Sequence, residues 1–130
     1  MESYIMVLSA TVWQIPLIKK IKERGYKVVL VHPNKQGDAL PYADEIIYED
    51  ILNQQAVLEA AKKFNIIAIM SDECDIATPT LAYVSTQLGI PSQTEQMAAL
   101  YTDKSRMRDF CKAHNLPYPK YQVCTTLDEA

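Results

Sequence analysis

Three groups of residues in this sequence could do chemistry. The first is Ser71-Asp72-Glu73-Cys74-Asp75, a short loop with three carboxylates. Asp72 and Glu73 could hold the amine or hydroxyl of a substrate. An acid just ahead of a helix is as often an N-cap, bonded to amides that the first turn leaves open. For Asp75 the cap is the preferred reading. The second group is Trp13-Gln14, an aromatic face able to stack a ligand beside an amide able to orient one. The competing reading for Trp13 is a half-buried indole at a junction. The third is Lys104, in the first turn of a helix opened by Thr102-Asp103. A cation there opposes the helix dipole, which favours anions at that end.

The thiols and imidazoles offer less. Cys74, Cys111 and Cys124 form no CxxC pair, and His32 and His114 lie far apart. A structural zinc site needs about four closely spaced ligands, so no metal site is expected. The cysteines read as small hydrophobes of a reducing compartment, and the expected location is the cytoplasm. His114 falls on the apolar face of its helix with Met107, Phe110 and Cys111. That suits a packed or capping histidine without a base partner.

These residues are positioned by alternating strands and helices. Tyr4 to Leu8, Lys27 to Val31 and Ile66 to Met70 are continuous apolar runs, as in strands buried on both faces of a parallel sheet. Glu45 to Tyr48 reads as a fourth, short strand. Between them, Val12 to Arg24 carries Ile15, Ile18 and Ile21 at helical spacing, with Pro16 near the start and Gly25 as a left-handed cap. Asn53 caps a helix running to about Phe64. Ala77, Leu81, Val84 and Leu88 face inward on a helix ended by Gly89. The order β-α-β-β-α-β-α predicts an α/β, Rossmann-like, three-layer domain. Right-handed crossovers give a strand order of 3-2-1-4. Ligands of such sheets bind beyond the strands' carboxyl ends near the switch point. The loops at Ser9–Gln14, His32–Asn34 and Ser71–Asp75 should therefore share one rim.

Beyond Gly89 the character changes. Ser92-Gln93-Thr94-Glu95 is a capping-box pattern for a short helix to about Tyr101, and a second helix follows Thr102-Asp103. Tyr121 to Cys124 reads as a strand. Thr126-Leu127-Asp128-Glu129 is a second capping box, where the sequence stops at Ala130. One capped turn does not sustain itself, so the chain reads as a fragment of a longer one.

Composition narrows the function classes. The 130 residues suit one domain, with 48% apolar and 22% charged residues and a net charge of −3. Nucleic-acid binding would require a clustered excess of Lys and Arg. The longest apolar runs fall well short of the roughly 20 residues of a spanning helix, and the N-terminus lacks the basic region of a signal peptide. The loop after the first strand, Ser9-Ala10-Thr11-Val12-Trp13-Gln14, has no glycine. The second strand ends in His32-Pro33-Asn34 without an acid for a ribose. Both observations argue against a dinucleotide-binding domain.

The ordered series Trp13-Gln14-Ile15-Pro16-Leu17-Ile18 through Gly25-Tyr26-Lys27-Val28-Val29, then Tyr42-Ala43-Asp44-Glu45, then Ala77 to Tyr83 with Leu88-Gly89-Ile90-Pro91, resembles the ATP-grasp superfamily of ligases. The last matching stretch is Thr102-Asp103-Lys104 with Met107-Arg108 and Leu116-Pro117-Tyr118-Pro119. The likeness is nearest to ligases of the carbamoyl-phosphate synthase large-subunit type. It is more distant to biotin carboxylase and the carboxyaminoimidazole ribonucleotide synthetases.

The resemblance implies that residues 1–91 form a pre-ATP-grasp domain lining one side of a substrate pocket. Residues 92–130 would begin the ATP-grasp domain. Lys104 matches the family position that reaches ATP phosphate, and Asp72 and Glu73 match a loop that in some relatives touches the acceptor. Trp13 and Gln14 would be further substrate contacts. The implied cofactors are ATP and Mg2+, and the implied reaction joins a carboxylate, activated as an acylphosphate, to an amine, ammonia or thiol. Many relatives carry a Gly-rich first loop, whereas this chain has Ser9-Ala10-Thr11. The second ATP-contacting lysine, the hinge and the metal ligands would lie past Ala130, so the 130 residues alone are expected to be inactive. The alternatives are a stand-alone module that binds a nucleotide or small metabolite without catalysis, and a scaffold domain that docks, or pairs as a homodimer, through Ser92–Ala130.

Overall fold

A computed structural model describes residues 2–130 of the chain. Strands β1 (Tyr4–Leu8), β2 (Lys27–His32), β3 (Glu45–Tyr48) and β4 (Ile66–Met70) form one sheet in the order β3-β2-β1-β4. Every pairing is parallel, as the alternation of elements predicts. Helix α1 (Gln14–Glu23) covers one face. Helices α2 (Gln54–Ala61) and α3 (Thr78–Leu88) cover the other.

The continuous apolar runs follow from this layering. Successive side chains of a strand point to opposite faces, and here both faces are dry. Ile5 and Val7 of β1, with Val28 and Leu30 of β2, pack against Ile18 and Ile21 of α1. Met6 and Leu8, with Val29 and Val31, pack against Val57, Leu58 and Ala61 of α2 and Val84 of α3. Each of the larger buried side chains here contributes roughly 1.5–3 kcal/mol relative to exposure. Asn53 caps α2 as expected, its side chain accepting from the Ala56 amide. Gly89 ends α3 in the left-handed conformation at φ +68°.

Asp44 fixes the start of β3. Its amide donates to the Val28 carbonyl at 3.0 Å. Its carboxylate accepts from the Val28 amide and from Lys22 Nζ, each at 2.8 Å. Burial works against the charge, but the Lys22 ammonium and the Val28 amide outweigh it and hold the carboxyl below its ordinary range.

Three local expectations are corrected. Tyr121 to Cys124 is not a strand, because no neighbouring strand offers it a ladder of backbone partners. The short helix after Gly89 is capped by Thr94 rather than Ser92. Thr94 Oγ1 accepts from the Met97 amide, giving α4 (Glu95–Thr102). Asp75 is not a cap. Cys74 holds that position, without a side-chain bond, ahead of a single 3-10 turn at Asp75–Ala77. Asp75 thus falls one residue too late to reach the open amides.

Helix α5 (Lys104–Ala113) packs on α4, and α4 on α3. No residue of α5 is buried. His114 is its C-cap, with Nδ1 at 2.9 Å from the Phe110 carbonyl oxygen and its ring stacked on Phe110. Among the described residues no helix is long and apolar enough to cross a membrane.

Two stability measurements check this account. A Cβ at position 37 would lie 2.7 Å from Ala10 Cβ and 3.0 Å from the Ala10 carbonyl oxygen. Gly37→Ala is therefore expected to cost about 1–3 kcal/mol in urea unfolding, as overpacking does. Asp44, with its folded pKa lowered, adds stability above its unfolded pKa, and that part is lost as pH falls through the folded value. The stability gap between the parent chain and Asp44→Asn should therefore narrow below about pH 4.

Candidate functional site

The carboxyl ends of β1 and β4 meet at the switch point, where neighbouring strands send their connections to opposite faces. Hydrogen bonds join the two loops there. Ser71 Oγ donates to the Leu8 carbonyl at 2.8 Å. The Asp72 amide donates to Gln14 Oε1 at 3.0 Å, and Gln14 Nε2 donates back to the Asp72 carbonyl. Gln14 is 0% exposed. Its amide thus copies, with one side chain, the paired bonds of a ladder, and ties the start of α1 to the loop after β4.

The loop after β1 lacks glycine but not the geometry glycine provides. Ser9 is buried at φ +83°, a region that costs an L-residue roughly 1–2 kcal/mol. Neighbouring bonds hold it there. The Ser9 amide donates to the Val31 carbonyl at 3.0 Å, and the Ala39 amide donates to the Ala10 carbonyl at 3.0 Å. The close approach of Gly37 to Ala10 completes the brace. The loop is therefore rigid and turned like a glycine loop, with a hydroxyl-bearing residue at its tightest point.

On this braced rim stand the expected residues. Trp13 is 62% exposed, so its indole is open to a ligand or to a covering domain. Asp72 and Glu73 are exposed, and Glu73 takes φ +49°. Gln14 is at the rim but sealed, with both ends of its amide engaged by the Asp72 backbone. Its side chain ties the start of α1 to the acidic loop.

Lys104 comes to the same loop from a distant part of the sequence. Its Nζ lies 3.7 Å from Asp75 Oδ2, with the two side chains 58% and 81% exposed. The helix it opens is already capped. Asp103 Oδ1 accepts from the Ser105 and Arg106 amides at 2.9 and 3.2 Å and from Ser105 Oγ at 2.6 Å. The Ser105 hydroxyl foremost, with the Arg106 amide, holds the Asp103 carboxyl below its ordinary range. An anion near this end would meet the Lys104 ammonium, not the first amides of α5.

Sequence reasoning missed the Asp75–Lys104 pair and the left-handed Ser9. The pair depends on how α4 and α5 stack back on α3, which no local pattern encodes. Ser9 was open to inference, because it stands where a glycine fingerprint would place its first tight turn.

Lys104 is an exposed cation whose carboxylate partner is loose and exposed. No group of three His, Cys, Asp or Glu among the described residues could hold a metal ion.

No protein-family model matches the chain, and no curated protein matches its sequence. Solved structures do. Phosphoribosylglycinamide synthetase from Anaerococcus prevotii superposes with a TM-score of 0.82 at 26% identity, over 99% of this chain and 33% of that one. L-amino acid ligase from Bacillus licheniformis gives 0.76 at 17%, over 100% and 34%. N5-carboxyaminoimidazole synthetase from Staphylococcus aureus, solved with ADP, gives 0.70 at 19%, over 88% and 31%. The chain spans about a third of the length of each. Its fold is that of the N-terminal domain of ATP-grasp ligases, and these neighbours support the superfamily that the sequence resembles.

The Gln14 clamp has a direct test. Gln14→Leu keeps the side chain's bulk but leaves the Asp72 amide and carbonyl without their partner. A loss of about 1–3 kcal/mol is expected, with faster hydrogen exchange at the Asp72 amide. Unchanged exchange there would mean that the loop is held by something else.

Proposed function

We propose that this chain is the N-terminal part of an ATP-dependent ligase that joins a carboxylate to an amine, ammonia or thiol through an acylphosphate. Residues 1–91 serve as the substrate-side domain, and residues 92–130 begin the ATP-binding domain. The observation that carries the reading is the position of Lys104. A cation at a helix start, already relieved of capping duty by Asp103, stands 3.7 Å from Asp75 at the end of the loop that follows β4.

Three further points support it. One neighbour of the same fold is described with ADP bound. The neighbours are named as synthetases and a ligase. Trp13, Asp72 and Glu73 stand on the rim where sheets of this kind bind ligands. Within the class, the sequence resembles the carbamoyl-phosphate synthase large-subunit type most, and that is the proposed subclass.

ATP with Mg2+, when bound, supplies the phosphoryl group that activates the carboxylate. The residues of this chain do the remaining work. Lys104 exchanges the Asp75 carboxylate for a phosphate oxygen. Asp72 and Glu73 offer carboxylates to a cationic or hydroxyl-bearing acceptor. Trp13 offers an exposed indole just ahead of α1, and Gln14 ties the acidic loop to that helix.

Calorimetry on the 130-residue chain should show Mg-ATP binding weaker than roughly 1 mM, or none. In a polypeptide that carries this segment together with its ATP-binding domain, Lys104→Ala should raise KM for ATP about tenfold or more. That corresponds to the loss of one charge-assisted phosphate contact of about 1.5–3 kcal/mol. Tight stoichiometric nucleotide binding by the isolated chain would contradict the reading and favour a stand-alone module.

A further inference from the structure

Asp75 has no task within its own loop. Cys74 holds the cap position of the turn that Asp75 opens. The Asp75 carboxylate meets Lys104 Nζ at 3.7 Å, beyond hydrogen-bond distance, and both side chains are exposed. Among the described residues this is the one ion pair that joins the segment up to residue 91 to the segment from residue 92. No loop or cap backbone hydrogen bond crosses between those segments. Asp103 gives Lys104 no alternative partner. Its carboxylate accepts from the Ser105 and Arg106 amides and lies 3.4 Å from Arg106 Nε.

The loop after β4 carries Asp72, Glu73 and Asp75 and no cation of its own. Of these three acids, Asp75 alone has an ion pair among the described residues. Three residues separate Asp75 from Asp72, which keeps their backbones within about 11 Å. That is comparable with the screening length of about 8 Å at physiological salt, so the charge on one is felt at the other. The loop's backbone is held by the Ser71–Leu8 and Gln14–Asp72 bonds. A change at Lys104 therefore reaches Asp72 and Glu73 as a change of charge rather than of position.

We propose that Asp75 couples the two substrates of the ligase reading, on which this inference rests. Without nucleotide, Lys104 offsets one of the three carboxylates. A phosphate that takes Lys104 leaves all three open, and the loop then binds a cationic acceptor more tightly. Coupling of this kind is reciprocal, so the acceptor strengthens nucleotide binding by the same factor. Asp75 is thus a positioning residue for Lys104 and a specificity determinant that favours an ammonium over a neutral acceptor once nucleotide is bound.

The test uses a polypeptide that carries this segment together with its ATP-binding domain. The probe is alaninamide, an ammonium without a carboxylate, titrated against the Asp72 and Glu73 amide resonances with and without saturating Mg-ADP. N-acetylalaninamide is its uncharged counterpart. Release of one exposed ion pair should lower the Kd of alaninamide about two- to fivefold when Mg-ADP is present. In Asp75→Asn that ratio should fall toward one, and Mg-ADP alone should bind about two- to fivefold more tightly than to the parent. The gain should vanish when Lys104→Ala is added, because the competition is for that ammonium. An equal ratio in parent and Asp75→Asn, a response to N-acetylalaninamide as strong as to alaninamide, or no response of the loop to either would overturn the coupling. Each leaves the ligase reading in place as long as Lys104→Ala weakens Mg-ADP. Mg-ADP binding that ignores Lys104→Ala would overturn both.

Discussion

The candidate site depends on one buried amide. Gln14 joins the first turn of α1 to the backbone of Asp72 through two hydrogen bonds, inside a sealed position. At a switch point the chain departs to opposite faces of the sheet, which opens a crevice between β1 and β4. A crevice is useful only if its walls hold still. Water would compete for the bonds of an exposed glutamine, whereas those of a buried one carry the full penalty of being left unmade. The acidic loop is therefore as fixed as the helix it is tied to.

The same economy governs charge at the rim. Asp103 takes the open amides of α5, so Lys104 is the group left facing outward. Lys104 leans on Asp75, at 3.7 Å and mostly in water. Such exposed pairs contribute about 0–1 kcal/mol, which is enough to bias the side chain toward the rim. It is too little to resist a phosphate carrying more than one negative charge. A tight, buried pair would have made Lys104 structural. A loose one leaves it available.

Much of the fold was legible in the residues. Runs such as Met6-Val7-Leu8 and Val28 to Val31 have no polar alternation, and only a sheet covered on both faces accommodates them. Gly25 and Gly89 marked two helix ends, and Asn53 marked a start. The misreadings came where a local pattern competed with tertiary context. Tyr121 to Cys124 has strand composition but no partner strand. Ser92 offered a cap two residues ahead of Thr94, the residue the chain uses. Asp75 looked like a cap and instead meets a lysine delivered by packing between helices. At the site, exposure of Trp13, Asp72 and Glu73 followed from their loops. The burial of Gln14 could not be read locally, because a polar side chain at a helix start is usually solvated.

The most direct test of the central claim is a crystal structure, with Mg-ADP, of a polypeptide that carries this segment and its ATP-binding domain. The account expects Lys104 Nζ within hydrogen-bond distance of a phosphate oxygen, parted from Asp75, with the nucleotide facing the Trp13–Asp72 rim. A nucleotide bound elsewhere, with Lys104 still against Asp75, would contradict it.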